Sequence, residues 1–269
     1  MEKLILKKIY EKIELGEKVA MTTLTSICGS TPGRKGAFMA IFEDGSTYGT
    51  IGGGKLEYEV IKKSLEYIEK CENTEFTYKI DDKGELDTEC GGEIKGFIKI
   101  FVPSHKLIIA GAGHIALHLH KLSSMINLHT VVIDEREELV NKEHFCYANE
   151  LIVGKADEVL KQYNINKNTY IVIVGSNHKN DTLVLESVIN SDAGYIGMIG
   201  SKGKVSHILK GLIEKGISRD QIQKVYAPIG IDIASEKPEE IALGILSEIA
   251  LIKNNGSLNH MKDIKNIEY

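Results

Sequence analysis

The stretch LIIAGAGHIALHLHKLSSMINLHTVVIDERE, from Leu107 to Glu137, constrains the fold of this chain more than any other. An apolar run leads directly into Gly111-Ala112-Gly113-His114-Ile115-Ala116, a G-x-G-x-x-A turn, and a helical segment opens from that turn. A second apolar run ends at Asp134, about twenty residues on, as in dinucleotide-binding βαβ units. Gly111 permits the tight turn, Gly113 lets the backbone approach a pyrophosphate, and Ala116 lets the helix pack closely. The helix N-terminus offers unpaired N–H donors to an anion, and Asp134 stands where a carboxylate meets ribose hydroxyls. Two readings of the turn stay open. It holds a mononucleotide, a dinucleotide such as NAD(P), or a pterin phosphate, or it is an inherited turn that binds nothing. His114 either touches such a ligand or faces solvent. His118 follows at a spacing that can hold a metal, but with no acidic or cysteine partner nearby in sequence the pair reads as surface histidines.

The rest of the second half repeats the theme. HTVVID, ELIVG, YIVIVGS and YIGMIGS are short apolar runs separated by helical segments. Continuous apolar strands alternating with helices predict a parallel sheet covered on both faces. Ligands of such sheets sit outside the carboxyl ends of the strands. Ser176, Asn177, His178 and Asp181 are therefore candidates after one strand, and Gly200, Ser201, Lys202 and Lys204 after another, against the alternative of two solvated polar loops. KPEEIALGILSEIALI reads as a helix begun at Pro238, its apolar stripe serving as core or as a dimer contact.

The first half has a different grain. MEKLILKKIYEKIELGEK places Leu4, Ile5, Ile9 and Ile13 at helical spacing. AFMAIFEDGSTYGTI reads as a hairpin around Asp44-Gly45, and KLEYEVIKKSLEYIEKC as a helix with Leu56, Val60, Ile61, Leu65 and Ile68 on one face. TEFTYKI and GEIKGFIKIFV alternate like half-buried strands. The expected architecture is α/β: a mixed α/β domain over 1–103, broken at Pro103, followed by a Rossmann-like parallel-sheet domain over 104–269. Between hairpin and helix, Gly49, Gly52, Gly53 and Gly54 crowd together, and such a run answers a need for positive φ or close backbone approach. It is either a tight sheet-to-helix connection or a nest of N–H groups around an anion.

With 269 residues and a net charge of −5 the chain has no basic surplus, which argues against a nucleic-acid partner. No apolar run is long enough to span a bilayer. The amino terminus lacks a signal-peptide pattern, so the four cysteines, Cys28, Cys71, Cys90 and Cys146, are expected as thiols in a reducing cytoplasm. They show no zinc-ligand spacing, and no metal site is expected.

Taken together, several of these stretches resemble the XdhC/CoxI family of accessory proteins for molybdenum-containing hydroxylases. The residues are GSTPGRKGAFM, DGSTYGTIGGGKLE and CGGEI in the first half, and IIAGAGHIA, YIGMIGSKGK and APIGIDIASEKPEEIALGILSEI in the second. The chain departs from the family pattern where Gly33 separates Pro32 from Arg34, and where GSKGK stands for a more arginine-rich segment. The resemblance implies a cofactor chaperone without catalytic residues of its own. Such a protein binds the molybdenum cofactor, molybdopterin, while its sulfido form is made, and passes it to a hydroxylase such as xanthine dehydrogenase. A sulfurtransferase and a second copy of the chain are the further partners implied. The resemblance assigns Gly52, Gly53, Gly54, Arg34 and Lys35 to the anionic cofactor. Cys90 is either a thiolate contact to that cofactor or a small buried residue. The competing class is an NAD(P)- or flavin-dependent oxidoreductase built on the Gly111–Asp134 unit, against which no hydride-chemistry pair stands out. A nucleotidyl transferase would need a metal-binding carboxylate group and a phosphate loop, and the sequence announces neither.

Overall fold

The computed structural model describes residues 2–29, 33–80 and 92–265. The chain divides into two compact units, Met1–Pro103 and Ser104–Tyr269.

The first unit begins with α1 (Glu2–Glu14), whose buried residues Ile5 and Ile9 lie one turn apart. They pack with Val19, Ala40 and Phe42. Leu4 is exposed although it shares the helical spacing. It lies about 100° around the helix from Ile5, off the narrow buried stripe. β1 (Val19–Gly29) is followed by β2 (Phe38–Phe42) and β3 (Thr47–Gly49), a hairpin whose turn is tied by Asp44. Its carboxylate accepts from the Ser46 N–H at 2.9 Å and the Ser46 hydroxyl at 2.6 Å. α2 (Gly54–Lys70) precedes β4 (Thr74–Ile80) and β5 (Gly92–Phe101). The strands form an antiparallel sheet in the order β3-β2-β1-β5-β4. Leu56, Val60 and Ile68 of α2 bury against Leu24, Met39, Ile94 and Ile98 of that sheet, each contributing about 1.5–3 kcal/mol by leaving water.

The second unit alternates strand and helix: β6 (Lys106–Ala110), α3 (His114–Met125), β7 (His129–Asp134), β8 (Glu150–Val153), α4 (Ala156–Leu160), β9 (Thr169–Ile173), α5 (His178–Val188), β10 (Tyr195–Met198), α6 (Lys202–Glu214) and α7 (Arg219–Gln223). It closes with β11 (Val225–Tyr226), α8 (Pro238–Lys253) and α9 (Met261–Ile264). All neighbouring strands are parallel, in the order β11-β10-β9-β6-β7-β8. Alternate residues of each strand feed opposite faces. Leu107, Ile109, Val132 and Val172 join Ala116 and Leu119 of α3 and Ala242, Ile245 and Ile249 of α8. Ile108, Val131, Ile133, Ile171 and Ile173 join Leu185 of α5 and Ile208 of α6. The apolar stripe of α8 is thus core. The fold is α/β, an antiparallel mixed unit followed by a Rossmann-like parallel-sheet unit. The direction of winding reverses between β6 and β9, which places a ligand crevice at the carboxyl ends of these strands. Among the described residues no helix is long and apolar enough to cross a membrane.

Candidate functional site

The two glycines of the β6–α3 turn have different reasons to be there. Gly111 has φ +119°, and a Cβ there would stand 2.7 Å from the Val174 carbonyl oxygen and 3.0 Å from the Gly175 nitrogen. The approach of the β9 end requires glycine. Gly113 has φ −81° and ψ −173°, a conformation any residue adopts, and a Cβ there would meet nothing within 4 Å. Packing does not require glycine at 113. Its open side adjoins the first turn of α3, which has no side-chain cap. α5 and α6, by contrast, cap themselves. The Asn177 side chain accepts from the Lys179 N–H at 2.9 Å, and the Ser201 hydroxyl from the Lys204 N–H at 3.3 Å. The first-turn amides of α3 therefore keep donors and a dipole for an outside anion. His114 is exposed beside them. His118 Nε2 lies 4.0 Å from Glu239 Oε2, and no group of three potential metal ligands occurs among the described residues.

Asp134, at the tip of β7, is nearly buried, at 8% exposure. Its Oδ2 accepts from the Ala112 N–H and from Arg136 Nη2, both at 2.7 Å. Its Oδ1 accepts from the Arg136 N–H at 3.0 Å and from Arg136 Nε at 2.8 Å. Burial works to raise the Asp134 pKa, but the Arg136 side chain and the two backbone donors outweigh it and hold the carboxyl below its ordinary value. With four donors on its two oxygens, the carboxylate ties the glycine turn to Arg136 and has no acceptor position open for a ribose diol.

A pocket of about 550 Å³ opens at this carboxyl edge. It brings together Gly111, Asp134, Ser176, Asn177 and Asp181 of the sequence candidates, and adds Arg136, Lys155 and Lys179. Gly113, His114, Ser201, Lys202 and Lys204 are not in its walls. Lys204 is committed elsewhere: its Nζ lies 2.6 Å from Asp181 Oδ2, with both side chains largely buried. A Cβ on Gly175 would overlap Asp181 Oδ1, so the glycine at the β9 end makes room for this ion pair. Arg136 could have been found from the sequence as a guanidinium two residues beyond Asp134. Lys155 carries no motif.

In the first unit, Gly52, Gly53 and Gly54 have φ of 134°, 75° and 65°. A Cβ on Gly53 or Gly54 would meet nothing within 4 Å, so it is backbone conformation that calls for glycine. The group that approaches this backbone is the chain's own Glu57. Its Oε2 accepts from the Thr50 hydroxyl at 2.7 Å and from the N–H groups of Ile51 and Gly53, both at 3.1 Å. An incoming phosphate would have to displace that carboxylate. Arg34 and Lys35 are exposed, Cys28 is an exposed thiol at the end of β1, and Cys90 lies outside the described residues. Of the donor sets described, the uncapped start of α3 fits a phosphate as it stands. The glycine run fits one only once Glu57 has moved.

The XdhC Rossmann domain is matched over residues 107–249, and the XdhC and CoxI family over residues 13–79. The uncharacterized protein YqeB of Escherichia coli is 32% identical over 242 residues, covering 88% of this chain and 44% of that protein. A Bacillus subtilis protein named as a probable xanthine dehydrogenase component is 26% identical over 153 residues, covering 57% of this chain and 44% of that protein. The chain thus spans less than half the length of these two relatives. The molybdenum cofactor insertion chaperone PaoD of Escherichia coli is 21% identical over 299 aligned positions, covering 93% of this chain and 88% of that protein. A crystal structure described as a xanthine dehydrogenase from Bacillus halodurans shares the fold at a TM-score of 0.53 and 20% identity, covering 96% of this chain and 98% of that one. With the Rossmann domain matched across more than half of its residues, the chain belongs to the XdhC and CoxI family.

Proposed function

We propose that this protein is an accessory factor that binds the molybdenum cofactor, shelters it during sulfuration, and assists its insertion into a xanthine dehydrogenase-type hydroxylase. The observation that carries the reading is the likeness to PaoD, named a molybdenum cofactor insertion chaperone, along nearly the whole of both chains. The site geometry supports it: the start of α3 has no side-chain cap and Gly113 leaves open space beside it. When bound, the cofactor supplies an anionic terminal phosphate and a dithiolene-held molybdenum. The first-turn amides of α3 hold the phosphate by hydrogen bonds and dipole. Arg34 and Lys35 neutralise charge, and Cys90 offers a thiolate, a softer ligand for molybdenum than any hydroxyl. In this reading the protein works in the cytoplasm as a homodimer, with a hydroxylase and a sulfurtransferase as partners. The second element of the reading is a nucleotide in the carboxyl-edge pocket, whose volume of about 550 Å³ lies within the usual range for small-molecule sites.

The test is activation of an apo-hydroxylase mixed with the protein as purified. Wild type is expected to restore hydroxylase turnover, and Cys90→Ser to restore less while melting at the wild-type temperature. Failure of the wild-type protein to activate any molybdenum hydroxylase tested would remove the reading, and full activation by Cys90→Ser would remove Cys90 from it.

A further inference from the structure

We propose that the carboxyl-edge pocket selects a dinucleotide with a phosphorylated ribose, and that Arg136 is the residue that makes the selection. The inference rests on the nucleotide element of the reading above and adds what the site discriminates. In this fold the tip of the second strand of the unit, here β7, faces the adenosine ribose. A free carboxylate at that tip accepts from the 2′- and 3′-hydroxyls. Here the carboxylate of Asp134 is filled: Ala112 and Arg136 supply four donors to its two oxygens.

What the tip of β7 presents instead is the guanidinium. Arg136 uses Nε and one hydrogen of Nη2 on Asp134, so three of its five N–H donors remain. The side chain is 40% exposed and lines the pocket. Asp134 thus fixes the fork in place while leaving its outer edge to a ligand. A fork of donors with no acceptor matches a phosphate and cannot serve both sides of a diol.

The surroundings agree. Lys155 and Lys179 line the same pocket. Lys155 lies 3.2 Å from Glu158 on the exposed surface, a pairing weak enough for a phosphate to compete with, and Lys179 makes no side-chain bond among the described residues. The acids in the walls are matched. Asp134 pairs with Arg136, Asp157 with Lys161, Glu158 with Lys155 and Asp181 with Lys204. Glu135 accepts from the Asn180 amide at 3.2 Å. No surplus of negative charge stands against a phosphate.

The probes are NADPH and NADH, which differ only by the 2′-phosphate, titrated by calorimetry against the full chain. Wild type is expected to bind NADPH at least roughly tenfold more tightly than NADH. Arg136→Ala removes two of the four donors on Asp134 and so reopens its carboxylate to a diol. NADPH affinity should fall and NADH affinity rise, closing or inverting the ratio. Arg136→Lys keeps the charge but loses the fork, and should show an intermediate ratio if the alanine variant does not fold. Equal binding of the two probes by wild type, or a preference that survives in Arg136→Ala, overturns the selection while leaving nucleotide binding in place. Binding of neither probe overturns the inference together with the nucleotide element of the reading.

Discussion

Replacing Gly111 and Gly113 by alanine, one at a time, separates a glycine kept for the fold from one left open to a ligand. At Gly111 an alanine must hold φ near +119° with its Cβ 2.7 Å from the Val174 carbonyl oxygen. The obstacle is the backbone at the end of β9, which cannot turn aside as a flexible side chain would. Strain at a disfavoured φ together with the forced shift of β9 should cost on the order of 2–4 kcal/mol. For a unit of this size that is a loss of roughly 5–15 °C in melting temperature. At Gly113 the backbone is already extended and the Cβ enters open space. There the substitution should be neutral or raise stability by up to about 1 kcal/mol, through a less flexible unfolded chain. The assay is scanning calorimetry of both variants, followed by titration with a phosphate-bearing ligand. Gly113→Ala should melt at or above the wild-type temperature and bind the ligand less tightly. If Gly111→Ala melts within about 1 °C of wild type, or Gly113→Ala is the less stable of the two, the distinction is wrong.

Two further outcomes follow from the hydrogen bonds. Glu57→Ala strips one acceptor from the Thr50 hydroxyl and the Ile51 and Gly53 N–H groups. It should speed hydrogen exchange at Ile51 and Gly53 and lower stability by about 1–2 kcal/mol; unchanged exchange would show that the contact does not hold the loop. Asp134 has a folded-state pKa below its unfolded value, so its stabilisation is complete above about pH 4 and fades as pH falls through the lower folded value. Arg136→Ala should raise the Asp134 pKa in a carboxyl NMR titration and shrink the acid-induced loss of stability, and an unmoved pKa would discount the Arg136 contact.

The parallel unit was legible because its strands are buried on both faces. Runs such as Tyr170–Val174 need no partner sequence to announce themselves, and the G-x-G-x-x-A turn fixes where the helix starts. β11 was not legible, since Val225–Tyr226 is two residues long and is a strand only by lying beside β10. Helical spacing could not tell Leu4 from Ile5, because the width of the buried stripe is set by what α1 packs against. The site was less legible than the fold. The glycine run announced a tight backbone but not its occupant, which depends on Glu57 folding back from the first turn of α2. The position of Asp134 was readable, but its work was not, because the turn geometry lets Arg136 reach back two residues and fill it. Lys204 looked like a phosphate ligand until burial paired it with Asp181.

Carriage of the molybdenum cofactor by this chain is measured by its pterin and molybdenum content after anaerobic purification from its native host. A fluorescent oxidised pterin and molybdenum are expected in near-equal amounts on the wild-type protein. Both should be sharply reduced on Gly113→Val, which should fold normally since its side chain enters open space. Wild-type protein free of pterin and molybdenum under these conditions, or equal loading of Gly113→Val, would contradict a cofactor held at the start of α3.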